Sequence, residues 1–205
     1  MATAKPFVSP SLSYETLEET LDIKPKTESL TIGIPKEDSF NEKRIALTPE
    51  AVGVIVANGH QVNVETNAGE GANYSDKDYS EAGAQIIYSK KQVFESEIIV
   101  KSAPVSDADC EFLRPNQYII SPIHLALMKR EILEKMMSKK ITALSFENLK
   151  DASGHNPIVR SMSEIAGSAV MLIAGQYLSN ANEGKGVLVG GISGIPPTKV
   201  VIIGA

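Results

Sequence analysis

The sequence has 205 residues, 42% of them hydrophobic and 22% charged, the balance of a globular chain with apolar residues for one sizeable core plus a remnant. A net charge of -5 with acidic and basic residues interleaved offers no basic stripe to track a phosphate backbone, which excludes nucleic acid as the expected partner. No apolar run approaches the roughly 20 residues that cross a bilayer, and residues 1–9 lack the basic and apolar regions of a secretory signal, so a cytoplasmic setting is expected.

Residues 1–29 are rich in Ser, Thr, Pro and Glu and read as an extension, with one short periodic stretch at 14–21. From residue 30 the pattern changes to short β-branched runs alternating with amphipathic helical stretches. Strands are predicted at 30–34, 61–65, 85–88, 97–101, 118–123 and 141–145. This alternation is the signature of repeated βα units and predicts an α/β fold: a doubly wound, mainly parallel sheet of the flavodoxin or Rossmann kind.

Helix signals lie between the strands. Thr48 is placed as an N-cap, with Pro49 at the first helical position, Glu50 at the positive dipole end and Gly59 as the stop. The stretch 125–139 puts Met128, Ile132, Leu133 and Met136 on one face, as a helix lying on a sheet requires. The single cysteine, Cys110, excludes an internal disulfide. Its acidic neighbours Asp107, Asp109 and Glu111 raise rather than lower a thiol pKa, so it is read as structural.

After residue 145 the alternation breaks into a polar loop at 151–157. Ser161 and Glu164 have capping-box spacing and are taken as the head of a long linking helix, 161–184, carrying Ala166, Val170, Ile173 and Tyr177 at helical intervals. Residues 30–160 are therefore expected to form a substrate-binding domain, and 185–205 to begin a second one. A strand is predicted at 199–203, with Gly204 in the place of the first glycine of a G-x-G-x-x-G dinucleotide turn. The plainer alternative is a last edge strand followed by a glycine.

Three residues stand where strands end. In an open α/β sheet, ligands bind beyond the carboxyl ends of the strands. Arg44, in the segment after the first strand, offers a planar fork for a carboxylate; its alternative role is a surface ion pair with Glu42. Lys101 closes the fourth strand and either donates to a substrate oxygen or extends its ammonium to water. His124 follows the fifth strand between Ile123 and Leu125, and imidazole exchanges protons near neutral pH. His60 follows a helix-stop glycine and His155 lies in a polar loop, which makes them poorer candidates. Two cations and a proton carrier at one rim are what binding and turning over a 2-oxo acid requires.

Several ordered motifs carry a resemblance. They are I-G-I-P-K-E with N-E-K-R-I-A-L-T-P (32–49), G-H-Q-V with A-G-E-G-A (59–72), S-E-I-I-V-K-S-A-P (96–104), I-H-L-A (123–126), M-S-E-I-A-G (162–167) and G-V-L-V-G-G-I-S-G-I (186–195). Over about 31–205 the sequence resembles the N-terminal region of the alanine dehydrogenase and nicotinamide nucleotide transhydrogenase alpha-chain family, nearer to the dehydrogenases. The resemblance implies NAD-dependent conversion of L-alanine and water to pyruvate and ammonia, with Arg44 and Lys101 holding substrate and His124 as acid/base. It sets Met162 and Ser163 beside the nicotinamide, with Gly204 opening the NAD turn and most NAD ligands beyond residue 205. It also implies a homo-oligomer. Two departures stand out: V-K-S-A-P replaces a K-V-K-E-P-like run, and Pro122 stands where an aromatic is frequent. A transhydrogenase alpha chain, associated with a membrane as a subunit, is one alternative, and a non-catalytic α/β binding module is the other. With the cofactor-binding half absent, the 205 residues are expected to be catalytically silent alone.

Overall fold

The computed structural model describes residues 29–38 and 42–203. Residues 1–28 of the extension and Gly204 lie outside the described residues. The six strands predicted between residues 30 and 145 form: β1 (Thr31–Ile34), β2 (Gln61–Glu65), β3 (Gln85–Ile87), β4 (Ile98–Val100), β5 (Tyr118–Ser121) and β6 (Thr142–Ser145). They make one sheet in the order β3-β2-β1-β4-β5-β6, with every pairing parallel. β1 and β4 are sequence-distant neighbours, so the winding direction reverses between them. That junction is where a doubly wound sheet opens a crevice for ligands.

A core lies on each face of the sheet, and alternation along a strand decides which core a side chain enters. On one face Ile32, Ile34, Val62 and Val64 pack with Val52 of helix α1 (Pro49–Ala57) and Tyr79 of α2 (Asp76–Glu81). On the other, Phe94, Ile99 and Ile119 pack with Cys110 of α4 (Asp107–Phe112), which follows the short α3 (Lys90–Val93), and with Ile132 and Met136 of α5 (Arg130–Ser138). Ile98 and Val100 flank Ile99 and join the first core instead. Gly33 is forced by a close approach: a Cβ there would lie 2.5 Å from the Val93 carbonyl oxygen.

Local chemistry explains the helix ends. The Thr48 hydroxyl accepts from the Ala51 N–H at 3.4 Å, Pro49 occupies the first turn, and Gly59 leaves the helix at φ 89°. Ser75 and Ser106 each build a reciprocal capping box, with Asp78 and Asp109. Cys110 is buried, and burial first, then its acidic neighbours, pushes its thiol above the ordinary value.

Three expectations are corrected. The helix expected from residue 125 begins at Arg130, because His124 takes a left-handed backbone (φ 43°) and its carbonyl closes a turn onto the Leu127 and Met128 N–H groups. The long helix α6 runs Pro157–Leu178, with Asn156 rather than Ser161 at its N-cap. Pro157, preset for a first helical position, decides that start, and the Ser161 hydroxyl instead donates back to the Pro157 carbonyl within the helix. Residues 199–203 form no strand among the described residues, since a strand exists only where a neighbour completes its hydrogen bonds.

The expectation about membrane-spanning length is also revised. The 22 residues of α6 include a window of mean hydropathy 1.3, long and apolar enough by length and composition to cross a bilayer. None of the α6 residues is buried, and Arg160 pairs with Glu164 at 2.9 Å on its exposed surface.

Candidate active site

The sheet order brings the three predicted strand-end residues to consecutive strands, with Arg44 after β1, Lys101 after β4 and His124 after β5. Arg44 and Lys101 line one cavity of about 430 Å³, and Met162 of α6 lines it too. Its walls are otherwise largely apolar, formed by Ile32, Val100 and Ile120 of the sheet with Phe146 and Ile158 opposite. His124 is not among the lining residues. Ser163, one residue along from Met162, is exposed and donates to the Val159 carbonyl at 3.0 Å.

Arg44 already has a partner. Its Nε and Nη2 donate to the two Glu42 oxygens at 2.8 and 2.6 Å, and its backbone N–H reaches the same carboxylate at 3.0 Å. The fork therefore meets a planar carboxylate, which holds the Glu42 carboxyl below its ordinary value. The side chain is more than half exposed, so the pair is solvated and exchangeable. Tyr79 steadies the segment: its buried hydroxyl donates to the Leu47 carbonyl at 2.8 Å, and burial pushes the phenol up to about 12.

Lys101 is different, because its side chain is 2% exposed and its ammonium sits 2.9 Å from Asp109 and 3.0 Å from Glu37. Burial alone lowers an ammonium pKa, but the Asp109 and Glu37 charges outweigh it and hold Lys101 above the ordinary value. Asp109 is likewise kept ionised: burial opposes its charge, while Lys101 and the Ser106 N–H more than compensate, so its carboxyl lies below the usual range. Lys90 approaches the free Asp109 oxygen at 3.4 Å and also pairs with exposed Asp38. Glu37 in turn accepts from the Ser102 and Ala103 N–H groups at 2.7 and 3.1 Å. The node thus staples the loop after β1 to the loop after β4. Lys101 does not present a free ammonium to the cavity; two carboxylates occupy it.

His124 has a half-exposed ring whose Nδ1 faces Glu147 at 3.7 Å. Glu147, in the single helical turn Phe146–Asn148 after β6, accepts from the Ile123 and His124 N–H groups, both at 2.9 Å. Burial raises the Glu147 carboxyl, yet the His124 N–H, the Ser145 hydroxyl and further backbone donors prevail and bring it to about 2. Sequence reasoning missed Glu147 and the pairing of Glu37 and Asp109 with Lys101. The available signals were a glutamate two residues past the sixth strand, and acidic residues in the segments after the first strand and after the fourth, which Lys101 closes.

Comparison with known proteins agrees with this architecture. Residues 33–166 match the family described as alanine dehydrogenase/PNT, N-terminal domain, and residues 169–205 match alanine dehydrogenase/PNT, C-terminal domain. The chain belongs to the alanine dehydrogenase/PNT family. An alanine dehydrogenase of Methanococcus maripaludis is 38% identical over 176 residues, covering 85% of this chain and 47% of that protein. One from Staphylococcus epidermidis is 34% identical over 175 residues, with the same coverage. Among solved structures, an L-alanine dehydrogenase superposes with a TM-score of 0.77 at 35% identity, over 82% of this chain and 46% of the other. A transhydrogenase from Sinorhizobium meliloti gives 0.51 at 26% identity, over 57% and 35%. The chain spans about half the length of the alanine dehydrogenases it matches.

Proposed function

We propose that this chain is the substrate-binding portion of an NAD-dependent alanine dehydrogenase, acting on L-alanine and pyruvate in a cytoplasmic setting. In this reading residues 30–160 form the substrate domain, 161–184 link, and 185–205 begin the NAD-binding domain. The carrying observation is a guanidinium at the switch point between β1 and β4, on the rim of a cavity sized for a small ligand. The relatives named alanine dehydrogenase support the substrate class.

Arg44 would exchange Glu42 for the carboxylate of alanine or pyruvate, since both offer the same two-oxygen edge to the fork. Its half-exposed position keeps the cost of that exchange small. Lys101 contributes by holding the Ser102 loop in place, through Glu37, rather than as a second free cation. His124, outside the cavity lining, would have to turn toward the substrate to take a proton from the water that attacks the imine carbon and return it to the departing ammonia. Among the described residues, 199–203 form no strand that could open a dinucleotide turn.

The test is a pyruvate titration of the 205-residue chain followed by backbone amide resonances. Saturable shifts at Arg44 and Ser102, abolished in Arg44→Met, are expected. Unchanged binding in the variant, or no binding of millimolar pyruvate, removes the assignment and leaves a transhydrogenase-like scaffold. The chain alone is expected to form no NADH from alanine.

A further inference from the structure

Parallel register leaves part of one sheet face open. Level across β4, β5 and β6 stand Ile98, Tyr118 and Thr142, and one pleat further on Val100, Ile120 and Leu144. Alternation sends these side chains to the face on which α1 and α2 cover β1 and β2, and neither helix extends over β5 or β6. Tyr118 is 49% exposed and Leu144 45%, whereas Ile99 and Ile119, on the opposite face of the same sheet, are 0% exposed. Ile158 and Met162 of α6 reach over the cavity that Ile98, Val100 and Ile120 floor, but Tyr118 and Leu144 lie outside its lining. Strands in the middle of a parallel sheet are ordinarily covered on both faces, and a contiguous open apolar patch marks a docking surface.

The chain itself carries an occupant within reach. Residues 14–23, Y-E-T-L-E-E-T-L-D-I, lie outside the described residues; on a helix, Tyr14, Leu17 and Leu21 fall on one face at i, i+3 and i+7. Glu15, Glu18, Glu19 and Asp22 give the same segment four carboxylates and no basic residue. The extension joins the fold at Leu30, directly before β1, whose Ile32 lies on the open face level with Ile98. The nine residues from Leu21 to Leu30 span up to about 30 Å, whereas Tyr118 stands two strands from β1 and Leu144 three, about 10 and 14 Å away. Exposed cations border the face: Lys140, just before β6, and Arg160 on α6, which also pairs with Glu164. We propose that residues 14–23 dock on this face of their own chain, with Tyr14, Leu17 and Leu21 against Tyr118, Ile120 and Leu144 and the carboxylates toward Lys140 and Arg160. A segment tethered so closely is present at about millimolar effective concentration, so weak contacts suffice to hold it. Docked there, it extends the apolar wall of the cavity on whose rim Arg44 stands, and it requires no particular ligand at that arginine.

The test is nuclear Overhauser contact in the 205-residue chain carrying labelled Ile, Leu and Val methyl groups. Contacts from Leu17 and Leu21 to Ile120, Leu144 and the Tyr118 ring are expected, with none to Ile99 or Ile119 on the opposite face. Replacing both leucines, Leu17→Asp with Leu21→Asp, should abolish those contacts, shift the Ile120 and Leu144 methyls and raise the fluorescence of an apolar dye several-fold. The Ile99 and Ile119 methyls should stay in place, reporting that the fold is intact. Absence of the contacts in the wild-type chain overturns the proposal whatever the variant does, and so does a variant whose Ile120 and Leu144 methyls do not shift. A mixture of labelled and unlabelled chains decides the remaining case: contacts found only between molecules assign the face to a second copy and overturn docking within the chain.

Discussion

Replacing Lys101 with methionine tests the buried node directly. Methionine retains most of the stem's volume, so the cavity created is small and the change is chiefly electrostatic. Asp109, fully buried, loses the ammonium at 2.9 Å, and Glu37, 6% exposed, loses it at 3.0 Å. Lys90, 3.4 Å from Asp109, remains nearby. Removing one partner from a buried ion pair costs about 3–5 kcal/mol, which for a chain of this size lowers the melting midpoint by about 6–20 °C. Urea unfolding followed by far-ultraviolet circular dichroism measures it, since the chain has no tryptophan. The pH dependence has a definite sign. Asp109 has a depressed folded pKa, so its contribution is present above the unfolded carboxylate value of about 3.9 and is lost as pH falls through the folded one. Lys101 has a raised folded pKa, so its contribution is present below the unfolded ammonium value and is lost only as pH rises through the folded one. The gap between wild type and variant is therefore widest near neutrality and narrows in acid. A loss below about 1 kcal/mol, or a gap independent of pH, would refute the buried pairing and return Lys101 to the substrate.

Gly33→Ala drives a methyl to 2.5 Å from the Val93 carbonyl oxygen and 2.9 Å from Ile99 Cδ1, and thermal melting is expected to show a loss of about 1–3 kcal/mol or more. Tyr79→Phe leaves the Leu47 carbonyl without its donor and should cost about 1–3 kcal/mol. In the wild type, ultraviolet titration should show one tyrosinate forming only near pH about 12. Cys110, buried with a raised pKa, should react with a thiol reagent only at the rate of unfolding and immediately in denaturant; rapid native labelling would contradict its burial.

Periodicity in the chain was sufficient for the six strands of the sheet, for α1 and for the apolar stripe of α5, because those signals are local: alternation, an N-cap, a proline, a stopping glycine; it was not sufficient for the seventh strand, expected at 199–203. The start of α6 was locally encoded in Pro157, whereas two other misjudged segments turned on partners that periodicity does not supply. The helix after β5 starts late because Glu147, 23 residues away, holds His124 in a left-handed conformation. Residues 199–203 have strand composition without strand structure, since composition supplies no hydrogen-bonding neighbour.

Chemistry by itself determined which residue types stood at strand ends, and so singled out Arg44, Lys101 and His124. Only the tertiary structure decided what each was bonded to. Parallel register set Glu147 beside His124, and capping of α4 aimed Asp109 at Lys101. Burial then made those contacts decisive, since a charge withdrawn from water must find its counter-charge within the fold, whatever its distance along the chain.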